Sequence, residues 1–456
     1  VKRVSLGLAF IVAELAIVSS ARAAAVSQLA DDVARALGAL PAAAVVVAAP
    51  LVTDQAAPKG DDLALRVAAL LAGRIAKATR AHNQPAQLGT ARALAGKGGA
   101  LVYVQVEIAK GELRASADVY PVMRNSWDRV RNPLPAPTAH AFASAKIDAE
   151  VRAFLAPIVL EQAEVHKATH EEKDVLAAAC GDVDGDGGME LAIVSRTRVT
   201  LGHVRGGKFV PLHAEVWSKL APRAPAPLRE PIGSAVIASG LFEDSHDSLA
   251  SRGPRLLVGS TDRGGVSLTP NFALHSELFG IPLAFTDGPL CARANAGASA
   301  LEGPLVDCAM VKAPEPKLDL PAARFDAFAL ANISARDGGT KTVVAAREPG
   351  GKLRVRVGDA PARTYEGVGA QIAIADLDQD GAPELVTTLD GEPDAITIAT
   401  LPALPASGAT GAVADPKVRM KLAAPGGVRA LCTCPPEERG APALVAVVGS
   451  EVWIIR

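Results

Sequence analysis

Two acidic stretches in one register limit what this chain can fold into more than any other feature. The first, "GDVDGDGGMELAIVS", runs from Gly181 to Ser195, and the second, "IADLDQDGAPELVTT", from Ile374 to Thr388. Counted from the first aspartate, carboxylates fall at positions one, three, five and nine. They are Asp182, Asp184, Asp186 and Glu190 in one stretch, and Asp376, Asp378, Asp380 and Glu384 in the other. Position six is glycine in both, Gly187 and Gly381, which permits a sharp turn. Position seven, Gly188 or Ala382, can offer only its backbone carbonyl. Alternate residues of a curled loop can point at one centre, and a hard cation such as Ca2+ takes six to eight oxygens at about 2.3–2.6 Å. Without a cation, four carboxylates so close would repel and raise one another's pKa. The spacing therefore predicts two calcium sites with these ten residues as ligands. An EF-hand would need a glutamate at position twelve and flanking helices. Position twelve is Ile193 or Thr387, inside apolar runs, so the frame is strand–loop–strand.

The same frame recurs through the second part of the chain. Short apolar runs stand at "ELAIVS", "RLLVGS", "LVDCAM", "KTVVAA", "ELVTT" and "ALVAVVGS", and most are followed by a turn and a second strand such as "RVTLGHV", "KLRVRV" or "EVWIIR". Recurrence at roughly 40–65 residues, with one small antiparallel sheet per unit, is the signature of a β-propeller. Blades buried on both faces explain strands that are continuously apolar rather than alternating. A β-sandwich would show strands at about 8–12-residue spacing without the longer period.

The first part is mixed. "SQLADDVARALGAL" reads as an amphipathic helix with Ser27 as N-cap, and "AAAVVVAAP" as a buried strand. Leu63, Val67, Leu70, Leu71 and Ile75 lie at helical spacing, with a shorter helix around 91–95. "ALVYVQVEIA" and "ELRASADVYPV" form a hairpin about Lys110 and Gly111, and "SAKIDAEVRAFLAPIV" reads as a closing helix. The chain is thus α+β: a small α/β domain over 26–160, a polar linker or connecting helix over 161–173, and an all-β propeller over 174–456. The propeller has six blades, or seven if the 400–425 or 270–290 stretch hides a degenerate one.

The pattern "DxDxDGxxEL" followed by a short strand resembles the FG-GAP/VCBS repeats of integrin-α-type propellers. That resemblance implies a Ca2+ loop between the first and second strands of a blade, with the carboxylates named above as ligands. Glutamate at position nine departs from the aspartate common in that family. Other blades carry degenerate loops: Glu243, Asp244 and Asp247 are out of register, and Asn332 and Asp337 are too few. In element order, 26–160 is similar to the N-terminal domains of TolB-like envelope proteins. The blades lack the Ser-Pro-Asp-Gly turn of TolB itself.

A net charge of −2 and no basic stretch interleaved with aromatics argue against nucleic acid. Residues 1–23 read as a Sec signal peptide, with Lys2 and Arg3, an apolar Val4 to Val18 blemished by Glu14, and cleavage after Ala23. No later stretch is apolar enough to span a membrane, so the expected location is periplasmic or secreted. Among five cysteines, Cys291 and Cys308 suit a bridge across neighbouring strands, Cys432 and Cys434 share a strand face, and at least one is unpaired within the chain. His166 and His170 lie four apart but without the glutamate of a zinc motif. "GTARALAGKGGA" misses the P-loop pattern at Ala91 and Gly98, and no nucleophile elbow occurs. Trp127, Trp217 and Trp453 are dispersed, as core or interface residues are. The expected function is a non-enzymatic binding or scaffolding module of the cell envelope, engaging an envelope protein or glycan. The alternative is a secreted hydrolase or lyase using the propeller channel.

Overall fold

The computed structural model describes residues 25–40, 44–53, 56–75, 79–95, 100–109, 111–121, 126–131, 135–221, 226–238, 254–286, 288–294, 299–308, 316–334, 340–402, 415–436 and 442–456. The expected signal peptide over 1–23, the acidic residues 243–247 and Asp337 lie outside them.

Val45–Ala48 is apolar on both faces and buried on both, as a central strand between helices must be. It pairs in parallel with Arg80–Ala81 and with Ala100–Ala109. The latter forms the expected hairpin with Glu112–Pro121, and Ala139–Lys146 adds an edge strand. Helices Ala25–Leu37 and Gly60–Ile75 cover one face, packing Leu29, Val33, Leu63, Val67 and Leu71 on Val102, Val104, Val106 and Ile108. The short helix Leu88–Leu94 covers part of the other face beside Tyr103 and Tyr120. Two expectations are corrected. Ser27 lies inside its helix, and the Asp148 carboxylate accepts the Ala25 N–H at 2.8 Å. The closing helix shrinks to Ala149–Arg152, because residues 139–146 extend the hairpin instead.

Beyond residue 160 the chain is almost entirely β. Four antiparallel sheets begin with strands Gly233–Ala238, Ile281–Phe285, Ala327–Ser334 and Val368–Ala375. An eight-stranded sheet joins Val175–Gly181 and its three followers to Val428–Cys434 and its own. The first strands of successive sheets touch in sequence, and Val428–Cys434 returns to touch Val175–Gly181. This is a propeller-like ring. Burial follows it outward: Glu190–Ser195, Arg255–Ser260 and Ala443–Val448 are buried throughout, whereas the outer strand Lys208–Val216 is mostly exposed.

Residues 165–169 correct the linker expectation. Val165–Thr169 is a strand that pairs with Glu451–Ile455 and meets Lys208 through Thr169. It joins the end of the chain to the first sheet. Lys167 lies over the Trp453 ring at 4.2 Å, and Trp217 is buried with its indole N–H on the Ser195 carbonyl. Trp127 is exposed. The Cys291–Cys308 disulfide is present, and Cys180 pairs with Cys434 across the ring seam, leaving Cys432 as the free thiol. Among the described residues, no helix is long and apolar enough to cross a membrane.

Candidate metal centres

Each acidic loop leaves the end of an innermost strand and enters a largely buried second strand. The turn is forced by left-handed backbone at two positions. Position six is Gly187 (φ 86°) or Gly381 (φ 84°), and position four is Gly185 (φ 82°) or Gln379 (φ 56°). Gln379 takes a conformation that non-glycine residues adopt rarely, so the loop imposes its shape on sequence.

Most of the hydrogen bonds repeat as the backbone does, with one difference at position one. Asp182 accepts the N–H groups of Gly185 at 2.6 Å and Gly187 at 3.0 Å. Asp376 accepts those of Asp380 at 2.9 Å and Gly381 at 3.0 Å. Asp184 and Asp378 each accept the N–H two residues on. Position seven donates to position five, Gly188 to Asp186 at 2.6 Å and Ala382 to Asp380 at 2.7 Å. Position nine reaches back, with Glu190 accepting Val183 N–H at 2.7 Å and Glu384 accepting Leu377 N–H at 2.8 Å.

Positions one, three and nine converge. Asp182, Asp184 and Glu190 offer oxygens within 4.8 Å of one another, and so do Asp376, Asp378 and Glu384. The position-five carboxylates Asp186 and Asp380 stand outside these groups and cap position seven. Three converging carboxylates suit a hard divalent cation, because hard cations take oxygen ligands and offset the mutual repulsion of the carboxylates. The first loop adds a further sign of fit. Glu190 is 1% exposed, and its Oε1 has no hydrogen-bond partner. His203 Nδ1 lies 3.5 Å from it. A buried carboxylate oxygen with no donor is costly unless something else neutralises it.

Burial raises the pKa of Glu190, and the Asp184 and Asp182 charges add to it against the Val183 N–H. In the second loop the effect is larger. Burial first, then neighbouring carboxylates, push Asp376 up to about 7 and Glu384 up to about 8. Asp378 is raised for the same reasons, with Arg419 opposing.

Sequence spacing missed the second loop's surroundings. Thr400 lies opposite Glu384 across the sheet and donates its hydroxyl to Oε1 at 2.9 Å. Arg419 Nη1 reaches Asp378 Oδ2 at 3.4 Å and Thr400 at 3.3 Å, while Nε and Nη2 both hold Glu161. That contact holds the Glu161 carboxyl down at about 2. Burial lowers the Arg152 pKa and the Asp378 charge opposes the shift, so residues on the N-terminal side border this loop.

A cavity of about 400 Å³ at one mouth of the ring is lined by apolar inner-strand residues together with Glu230, Asp326, Gln371 and Arg429. Arg347 holds Asp326. A cavity of about 500 Å³ at the other mouth lies between Ile147 and Asp148 and the strand ends that carry Gly181 and Asp376.

No family model matches this chain, and no curated protein matches it. Among solved structures, BBS1N in complex with ARL6DN is similar at 11% identity and a TM-score of 0.36, over 77% of this chain and 90% of that one. The Myceliophteria thermophila Cps50 (Swd1) beta-propeller domain is similar at 12% identity and a TM-score of 0.30, over 64% and 99%. The Dos1 propeller is similar at 12% identity and a TM-score of 0.31, over 78% of each chain. Similarity this low says nothing of ligand or partner, and the propeller-like arrangement stands on the strand pairing above.

Proposed function

We propose that this is an exported calcium-binding β-propeller protein of the FG-GAP/VCBS type, acting as a binding or scaffolding module of the cell envelope. The observation that carries the calcium reading is the duplicated geometry. Two loops with different sequences repeat the hydrogen bonds made by positions three, five and nine and draw the same three positions, one, three and nine, together. Calcium supplies positive charge that lets these carboxylates coexist, and the loop ties the first two strands of a sheet together.

Counting the eight-stranded sheet as two blades joined through residues 165–169 gives six blades, with the calcium loops in the first and fifth. Two disulfides favour an oxidising compartment. The N-terminal sheet and helices are read as a TolB-like domain placed over one mouth. The mouth at the other end, whose lining mixes apolar residues with Glu230, Asp326, Gln371 and Arg429, is read as a surface for an envelope protein or glycan. Melting the protein in excess calcium and in EGTA tests the calcium reading. An upward shift in calcium is expected, and no shift would overturn structural calcium.

A further inference from the structure

Arg419 occupies an irregular place. It lies on Lys417–Ala423, the outer strand of the second loop's sheet, where Val418 pairs with Ala399 and Met420 with Ile398. The register shift leaves Arg419 in a bulge, and a bulge re-aims a side chain. The guanidinium points inward, with the side chain only 17% exposed. One fork thus touches a converging carboxylate, Asp378, and the hydroxyl that supports another, Glu384 through Thr400. Its other edge grips Glu161, 258 residues away, just before the ring-closing strand. Among the described residues, no arginine or lysine is seen in an ion pair with the first loop's converging carboxylates, and His203 lies beside Glu190. The first loop's outer strand places Val210 opposite His203, where the second sheet has Lys417 opposite Thr400.

We propose that Arg419 is a built-in counter-ion that competes with calcium for Asp378, while Glu161, already paired with it, offsets its charge. This rests on the calcium reading and deepens it. A fixed cation beside a metal site weakens metal binding by charge repulsion, whereas a carboxylate that neutralises that cation restores it. Arg419 therefore lowers the second loop's affinity, and Glu161 raises it. Through this pair, occupancy of the loop is coupled to the connection between the N-terminal domain and the ring.

The test is calorimetric titration of Ca2+ into full-length protein in which Asp182→Asn and Asp184→Asn silence the first loop. Arg419→Met keeps the aliphatic stem and removes the charge, and is expected to tighten binding about fivefold. Glu161→Gln is expected to weaken it about threefold. A role confined to structural support would not give opposite signs. Arg419→Lys keeps the charge but loses the two-pronged grip on Glu161, and is expected to bind calcium no more tightly than the parent, which keeps the test open if the methionine variant fails to fold. Binding in the parent that Arg419→Met leaves unchanged or weakens would overturn the counter-ion role alone. No calcium binding in the parent would overturn the calcium reading beneath it.

Discussion

At Glu190, one carboxylate oxygen accepts the Val183 N–H and the other has no hydrogen bond. At Glu384, the same two oxygens accept the Leu377 N–H and the Thr400 hydroxyl. Asp184 is exposed in the first loop, whereas its counterpart Asp378 is buried against Arg419 in the second. The backbone of the two loops is the same, and their neutralisation differs. The first leaves a buried negative oxygen for a cation to satisfy. The second supplies polar partners and an arginine, and burial raises Asp376 to about 7 and Glu384 to about 8. Identical motif spacing therefore does not mean equal dependence on metal.

The largest expected contrast comes from truncating position nine. Glu384→Ala strips a buried side chain and orphans both the Leu377 N–H and the Thr400 hydroxyl. A loss of about 3 kcal/mol in EGTA is expected from urea unfolding. Glu190→Ala orphans only the Val183 N–H and relieves an unpaired carboxylate, so about 1 kcal/mol or less is expected. Equal losses would break the distinction.

Next in size is the seam disulfide. Cys180 directly precedes the first loop and is tied to Cys434. Cys434→Ser is expected to cost about 2–3 kcal/mol and to weaken calcium binding at the first loop, leaving the second unchanged. Weakening at both would mean that the seam holds the whole ring rather than one loop.

The pH response separates the loops further. A carboxyl whose pKa is raised in the folded state retains a proton that the unfolded chain releases near pH 4. Metal-free stability is then greatest near the unfolded value and declines as pH rises through about 7 and 8, where Asp376 and Glu384 ionise. The melting temperature in EGTA is expected to fall between pH 5.5 and 8.5 relative to the same scan in calcium. The Glu384→Gln variant is expected to lose part of that gap, and Glu190→Gln less of it.

The smallest effect is at position seven. Gly188→Ala should cost about 1 kcal/mol or less: its Cβ would come within 2.8 Å of Asp186 Oδ1, the far end of an exposed side chain that can shift, and Ala382 makes the same hydrogen bond in the second loop. Gly187→Ala, at φ 86°, should cost about 1 kcal/mol or more. Thermal unfolding of both variants checks the order.

What could be read from sequence follows from where chemistry leaves a local trace. The loops and the continuously apolar second strands are visible because one short segment holds the whole pattern. Residues 165–169 read as linker because an outer strand buries little, and only Ala168 is fully covered. Its partner lies at the other end of the chain, so no local period announces it. The Cys180–Cys434 pairing and the Arg419–Glu161 contact are hidden for the same reason, each joining residues more than 250 positions apart. Position five spends one carboxylate oxygen on the position-seven N–H in both loops, a detail that spacing alone does not carry.

The most direct test is the stoichiometry of calcium binding to chelator-stripped protein by titration calorimetry. The account predicts two ions per chain, one after Asp182→Asn with Asp184→Asn, and one after Asp376→Asn with Asp378→Asn. A chain that takes up no calcium, or binds it with a stoichiometry insensitive to either pair, would contradict it.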